Sequence, residues 1–300
     1  MEETNMPDHH RRPPGRGLRA FLLFAMLLLL APSAWAGSIV TREFRSEQLG
    51  RAWRYNVYLP DGYDGGTLRY PVLYLLHGNG GSLNEWPVKG NLQAAADRLI
   101  RAGEIPPAVI ILPDAGTTWY VDRKEKMESA FFRDLIPDAE KSFRVLDTRE
   151  GRLIGGLSMG GFGTLRFVML HPEMFAAAAL LSPAIYDPEP PENSSARRVG
   201  VFGAEQYDPA VWKSLNWPVL WDGFLEKKIA VPMYINSGDD DDFFIEGEAT
   251  RLYDRLRRAG QPAQLRIVDG AHVWPVWEST IGDAMRYVFS FASRPVIPAP

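Results

Sequence analysis

Three hundred residues with 46% hydrophobic content are enough to bury one large core, and a chain of this length can form a single unit. The formal net charge of -4, with no long basic run, argues against a nucleic-acid partner. There is no cysteine, which excludes disulfides, a thiol nucleophile, a lipidated N-terminal cysteine and thiolate metal sites.

The chain opens with a basic leader (His9-His10-Arg11-Arg12 through Arg16 and Arg19), then an apolar run from Phe21 to Ala31, then the small-x-small triplet Ala34-Trp35-Ala36. This order is that of a secretory signal peptide over residues 1–36, and the apolar run is short for a retained membrane anchor. Arg11-Arg12 is followed by Pro13-Pro14, which sets twin-arginine export aside. The mature chain is therefore expected to start near Gly37 and to work in the periplasm or outside the cell, without a stable membrane anchor.

Residues 37–300 read as one domain. Arg51 to Pro60 partly alternates apolar with polar residues, as a half-buried strand does, and Asp61-Gly62-Tyr63-Asp64-Gly65-Gly66 ends it with turn chemistry. Pro71 to Leu76 is a continuous apolar run, the pattern of a strand buried on both faces. It empties into His77-Gly78-Asn79-Gly80-Gly81-Ser82, which has no Lys-Ser/Thr behind it and so is no phosphate-binding P-loop. Leu92 to Ala102 is expected to be a helix and Ala108 to Leu112 another buried strand, with Trp119-Tyr120 in the loop beyond. Ser129 to Phe143 has helical spacing, with an offset or kink expected from Pro137.

Next comes Arg152-Leu-Ile-Gly-Gly-Leu-Ser-Met-Gly-Gly-Phe-Gly163, in which Gly156-Leu157-Ser158-Met159-Gly160 is a G-x-S-x-G where an apolar run gives way to helical spacing. A strand, a sharp turn and a helix hold a serine out on a strained point, and the flanking glycines remove the collisions that side chains would cause there. Ser158 is the expected nucleophile. The backbone N–H of Met159, at the positive end of the new helix, is an expected oxyanion donor. The second donor belongs to the glycine loop, at Asn79 or Gly80.

Phe175 to Leu181 continues the strands. Residues of about 183–228 then break the rhythm, with several prolines followed by Trp212, Trp217 and Trp221; they read as a lid or binding insert whose tryptophans either line a cleft or pack the insert onto the body. Ile229 to Ile235 is a strand leading to Asp239-Asp240-Asp241-Asp242, Glu248 to Arg258 a helix, Gln264 to Val268 the last strand and Trp277 to Phe291 the closing helix. Alternating strands and helices indicate a parallel α/β sheet that binds ligands at the carboxyl ends of its strands. The aspartate run lacks the alternating ligands and central glycine of an EF-hand, so no metal site is expected.

A serine hydroxyl needs a base, and imidazole is poised for that work. Of five histidines, His9 and His10 lie in the leader, His77 reads as structural and His171 lies at a helix end. His272 follows the last strand, where the base belongs in the chain order Ser, acid, His. The acid comes from Asp239 to Asp242; composition does not say which one turns inward.

Together, Tyr70-Pro-Val-Leu-Tyr-Leu-Leu-His-Gly-Asn-Gly-Gly-Ser82, Asp134-Leu-Ile-Pro137 with Glu140-Lys-Ser-Phe-Arg-Val145, the stretch around Ser158, and Gly270-Ala-His272 resemble the esterase D-like family. That α/β-hydrolase family includes feruloyl and acetylxylan esterases, S-formylglutathione hydrolases and mycolyltransferases. The likeness covers nearly all of residues 37–300. It implies an α/β-hydrolase fold, a mostly parallel sheet flanked by helices, and a serine esterase that needs no cofactor. It also implies Ser158 as nucleophile, His272 as base, and the backbone of Met159 and Asn79 as oxyanion donors. The family's acid lies three residues after a glycine at this strand end, which maps from Gly238 to Asp241, with Asp242 its nearest rival. Relatives often carry Gly-Gly-His where this chain has Gly270-Ala271-His272, a mild departure.

The expected substrate is a small-molecule or carbohydrate ester, with Trp119, Tyr120 and Trp274 as candidate substrate contacts. Two other readings share these residues. One is acyl transfer to a sugar hydroxyl in place of water, and the other is a catalytically silent hydrolase fold that serves as a binding module.

Overall fold

The computed structural model describes Met1, residues 36–203 and residues 206–297. The leader expected over residues 1–36 therefore lies, but for its two end residues, outside the described residues. Among the described residues, no helix is long and apolar enough to cross a membrane.

Eight strands form one sheet: β1 (Ser38–Ser46), β2 (Arg51–Leu59), β3 (Val72–Leu76), β4 (Val109–Pro113), β5 (Arg152–Leu157), β6 (Ala177–Leu181), β7 (Met233–Gly238) and β8 (Ala263–Val268). Their spatial order is β1-β2-β4-β3-β5-β6-β7-β8. The β1–β2 and β2–β4 pairs are antiparallel, and every pair from β4 to β8 is parallel. This is the α/β-hydrolase fold. The helices are α1 (Glu85–Val88), α2 (Leu92–Arg101), α3 (Met127–Ala130), α4 (Ile136–Ser142), α5 (Met159–Leu170), α6 (Pro209–Leu215), α7 (Trp221–Glu226), α8 (Ile245–Arg258) and α9 (Trp274–Phe289).

The continuous apolar runs are explained by burial on both faces. In β3, Val72, Tyr74 and Leu76 join one core with α5, α8 and the 183–228 segment, while Leu73 and Leu75 join the opposite core with α2 and α9. The two-residue period of a strand divides one apolar sequence between two layers. The edge strand β1 has no such run, because most of its residues are exposed or half-buried, and the sequence pattern did not disclose it.

The offset expected near Pro137 is a π turn over Phe131–Leu135 between α3 and α4. The Ile136 N–H bonds to the Phe131 carbonyl, five residues back. Pro137 has no N–H to give, and the wider turn absorbs the interruption while Phe131 and Leu135 stay buried.

The tryptophans of the 183–228 segment follow the second of their two expected readings. Trp212, Trp217 and Trp221 are all buried. The Trp212 ring packs on Trp119, Phe162 and Phe202, and its indole N–H donates to the Tyr186 carbonyl at 3.2 Å. The Trp217 indole N–H donates to the Ile185 carbonyl at 3.0 Å. An indole offers one polar group, and those of Trp212 and Trp217 are bonded inside the protein.

Candidate active site

The turn from β5 into α5 places Ser158 at φ 53° and ψ −117°, a conformation that a non-glycine residue holds only when its surroundings impose it. Three hydrogen bonds do so. Ser158 N–H donates to the Leu181 carbonyl at 2.9 Å, and the Ser158 carbonyl accepts from Phe162 at 3.0 Å and Ala184 at 3.1 Å. A Cβ on Gly156 would lie 2.5 Å from the Gly160 carbonyl, and one on Gly160 would lie 2.6 Å from the Leu76 carbonyl oxygen. Both flanking glycines are thus required by close approach, as the motif predicts.

His272, in the loop after β8, brings Nε2 to 2.9 Å from the Ser158 hydroxyl oxygen. Its Nδ1 lies 2.7 Å from Asp241 Oδ2. With Asp241 ionised, the Nδ1–H tautomer donates to the carboxylate and leaves Nε2 to accept the serine proton. Phe243 and Trp277 hold the imidazole edge-on from two sides, with ring centroids at 4.9 and 5.0 Å. The sequence reading missed both. For Trp277 the helical spacing of α9 and its position five residues after the histidine were the available signal.

The four aspartates diverge. Asp241 has a fully buried carboxylate, whose Oδ1 also accepts the Phe243 N–H at 3.0 Å. Asp239 turns the other way and accepts the Gly270 N–H at 3.0 Å, while Asp240 and Asp242 are exposed. Asp241 is therefore the member that meets the imidazole. The surface trio Asp239, Asp240 and Asp269, all exposed, brings carboxylate oxygens within 4.8 Å of one another.

Adjacent strands β3 and β5, paired with Leu76 opposite Gly156, bring the glycine loop beside Ser158. Gly80 N–H is committed to the Gly116 carbonyl at 3.2 Å, whereas Asn79 N–H has no protein acceptor among the described residues. Of the two loop candidates, Asn79 is the one with a free donor. Met159 is the first residue of α5, so its N–H has no carbonyl one turn back. His77 is structural, as expected. Its Nε2 accepts the Ala115 N–H at 2.9 Å, so Nδ1 carries the proton and donates to the Gly78 carbonyl at 2.6 Å. Burial holds the His77 pKa below its ordinary value. The Tyr120 hydroxyl donates to the His77 carbonyl at 3.1 Å, and the Trp86 indole to the Leu76 carbonyl at 3.1 Å, which fixes the loop from both sides.

Ser158 and His272 open into a cleft of about 520 Å³ lined by Gly78 to Gly81, Glu85, Lys89, Phe243, Val273 and Trp274, with Ser195 from the 183–228 segment. Trp274 lies in this wall as expected. Trp119 and Tyr120 do not: each is 1% exposed, Trp119 packed among Phe162, Phe202 and Trp212, and Tyr120 spent on the His77 carbonyl. Their expected substrate contacts are replaced by structural ones, because both rings belong to the buried core.

A family model described as "Putative esterase" matches residues 46–288. An Endo-1,4-beta-xylanase/feruloyl esterase of Xylanibacter ruminicola is 37% identical over 163 residues, 51% of this chain and 22% of that protein. Esterase MT1326 of Mycobacterium tuberculosis is 29% identical over 77% of this chain and 55% of its own length. The chain thus spans about half or less of these two relatives. A solved ferulic acid esterase superposes with a TM-score of 0.73 at 28% identity, over 87% of this chain and all of that one. With the family model covering most of its length and the hydrolase topology in place, the chain belongs to the esterase family.

Proposed function

We propose that the protein is an exported serine esterase that hydrolyses carboxylic esters through an acyl-enzyme on Ser158. The observation that carries this reading is the hydrogen-bonded line from Ser158 Oγ through the His272 ring to Asp241, with spacings of 2.9 and 2.7 Å.

In this reading His272 Nε2 takes the hydroxyl proton as Ser158 Oγ bonds to the ester carbonyl carbon. The imidazolium is stabilised by Asp241, which also fixes the tautomer. The carbonyl oxygen gains charge as the tetrahedral intermediate forms and is met by the N–H groups of Asn79 and Met159. Collapse expels the alcohol, which leaves with the proton returned by Nε2. Water then repeats the sequence against the acyl-enzyme, releasing the acid and the free serine.

Esters of carbohydrates or of aromatic acids are the substrate class. The aromatic flank of Trp274, which lines the same cleft as polar Glu85 and Lys89, supports an acyl or alcohol group with one flat apolar face. The feruloyl and ferulic acid esterases among the similar proteins point the same way. Export rests on the basic, apolar and small-x-small order of the first 36 residues.

A fluorophosphonate probe tests the reading, because only an activated serine reacts with it. Labelling of wild type and none of Ser158→Ala is the expected result; an unlabelled wild type, or equal labelling of the variant, contradicts it.

A further inference from the structure

Gly37 sits in a cradle that reads its backbone at both ends. It is buried, between exposed Ala36 and exposed Ser38. Its N–H donates to Asp97 Oδ1 at 2.8 Å, and the same oxygen accepts the Tyr58 hydroxyl at 2.6 Å. Its carbonyl accepts from Gln93 Nε2 at 2.7 Å. A Cβ at this position would lie 2.5 Å from the Leu59 carbonyl oxygen and 2.5 Å from the Tyr58 ring, so only glycine fits. Asp97 is 8% exposed, and a carboxylate so placed favours a positive partner over a neutral amide.

The sequence supplies a route to that positive charge. Ala34-Trp35-Ala36, immediately before, ends in the small residue that leader peptidases cut after. We propose that the Ala36–Gly37 bond is the processing site of the chain and that Asp97 binds the α-ammonium group which cleavage creates on Gly37. The proposal rests on reading the leader as an export signal, and not on the assignment of the active site. In the cut, the hydroxyl of water bonds to the Ala36 carbonyl carbon and the C–N bond breaks. The Gly37 nitrogen takes the remaining hydrogen of that water and one proton from solution. A neutral N–H donor thereby becomes an ammonium at the same point, and the existing hydrogen bond becomes a charge-assisted ion pair. Because Ala36 is exposed, its departure leaves the cradle intact.

One residue more or less at the start undoes this arrangement. A chain beginning at Ala36 presents an amide to Asp97, and a chain beginning at Ser38 lacks both the nitrogen and the carbonyl that Asp97 and Gln93 hold.

The test uses the full-length precursor in an exporting bacterial host. Mass spectrometry of the protein recovered outside the cytoplasm is expected to find Gly37 as the first residue; any other first residue, or an uncut leader, overturns the proposal. Competitive acetylation of the mature protein by acetic anhydride then reads the amine itself. An opposing carboxylate favours the charged form, so Gly37 should label about tenfold more slowly than in Asp97→Asn, the effect of one pKa unit. The charged and titratable groups around it are Asp97, the Tyr58 hydroxyl, and Arg101 and Asp61 near that hydroxyl. Equal labelling of the two proteins overturns the capture. Should Asp97→Asn fail to accumulate, the wild-type labelling profile against pH decides alone: a midpoint above the ordinary α-amino range of about 7.7–8.0 supports the ion pair, and one within or below it contradicts it. Ester turnover of the same preparations is read separately, so a failure of the active-site reading shows itself apart from a failure of this one.

Discussion

Gly238 and Gly270 meet so closely that a Cβ on the first would stand 2.0 Å from the carbonyl oxygen of the second. Gly238 ends β7, three residues before Asp241, and Gly270 lies two residues before His272. The contact therefore sets the separation of the loops that carry carboxylate and imidazole. Gly238→Ala must push them apart. A loss of about 1–3 kcal/mol of stability is expected from overpacking. A fall in kcat on the order of 10²-fold is expected from misplacing the ring. Denaturant melts and kinetics on p-nitrophenyl acetate check both.

The aspartate quartet separates by direction. Asp241→Asn keeps the shape but supports the wrong tautomer, and kcat should drop by about 10³–10⁴-fold. Asp242 is exposed, with its backbone carbonyl bonded to the Asn193 side chain, so Asp242→Asn should stay within about twofold of wild type, as surface changes do. Parallel rate measurements on the two variants decide which residue orients the base.

Two tryptophans assigned one role by the sequence have different ones in the fold. Trp274→Ala removes a wall of the cleft and should raise KM for aromatic esters several-fold while leaving small acetyl esters nearly unaffected. Trp119→Ala opens a hole among Phe162, Phe202 and Trp212 and should cost roughly 3–5 kcal/mol of stability. Thermal melts beside KM values for two ester sizes separate the effects.

His77 gives the fold a dependence on acid. Its folded pKa is depressed below the ordinary 6.5 by burial, so the folded state resists a proton that the unfolded chain accepts. The contribution to stability is complete above that value and is lost as pH falls below it toward the lower folded pKa. His77→Gln keeps an acceptor for Ala115 N–H without the titration, and the slope of stability against pH should flatten in that window relative to wild type. Urea unfolding between pH 5 and 8 measures it.

How much of this was written in the sequence varies with the kind of physics involved. The strands β3, β4, β5 and β6 were readable because burial on both faces leaves apolar residues throughout, save Arg152 at the start of β5, which is paired with Glu140. The elbow was readable because close approach permits only glycine at 156 and 160. β7 begins at Met233 and not at Ile229, since Pro232 has no N–H for a ladder. β1 escaped notice because a largely exposed edge carries no apolar period. Residue chemistry alone left the acid open among four neighbours, and only the resemblance singled out Asp241. The clamp of Phe243 and Trp277 on His272 depends on where three separate segments meet; the helical spacing of α9 signalled Trp277, and no local pattern marked Phe243.

The central claim is that Ser158, activated by His272, carries the acyl group. Rapid mixing with p-nitrophenyl acetate followed by acid quench and peptide mass spectrometry tests it most directly. A burst of p-nitrophenol with acetyl found on the peptide containing Ser158 is the expected result, and in His272→Ala the burst should fall by at least about 10³-fold. Full turnover with acetyl on another residue, or an undiminished burst without the imidazole, would contradict it.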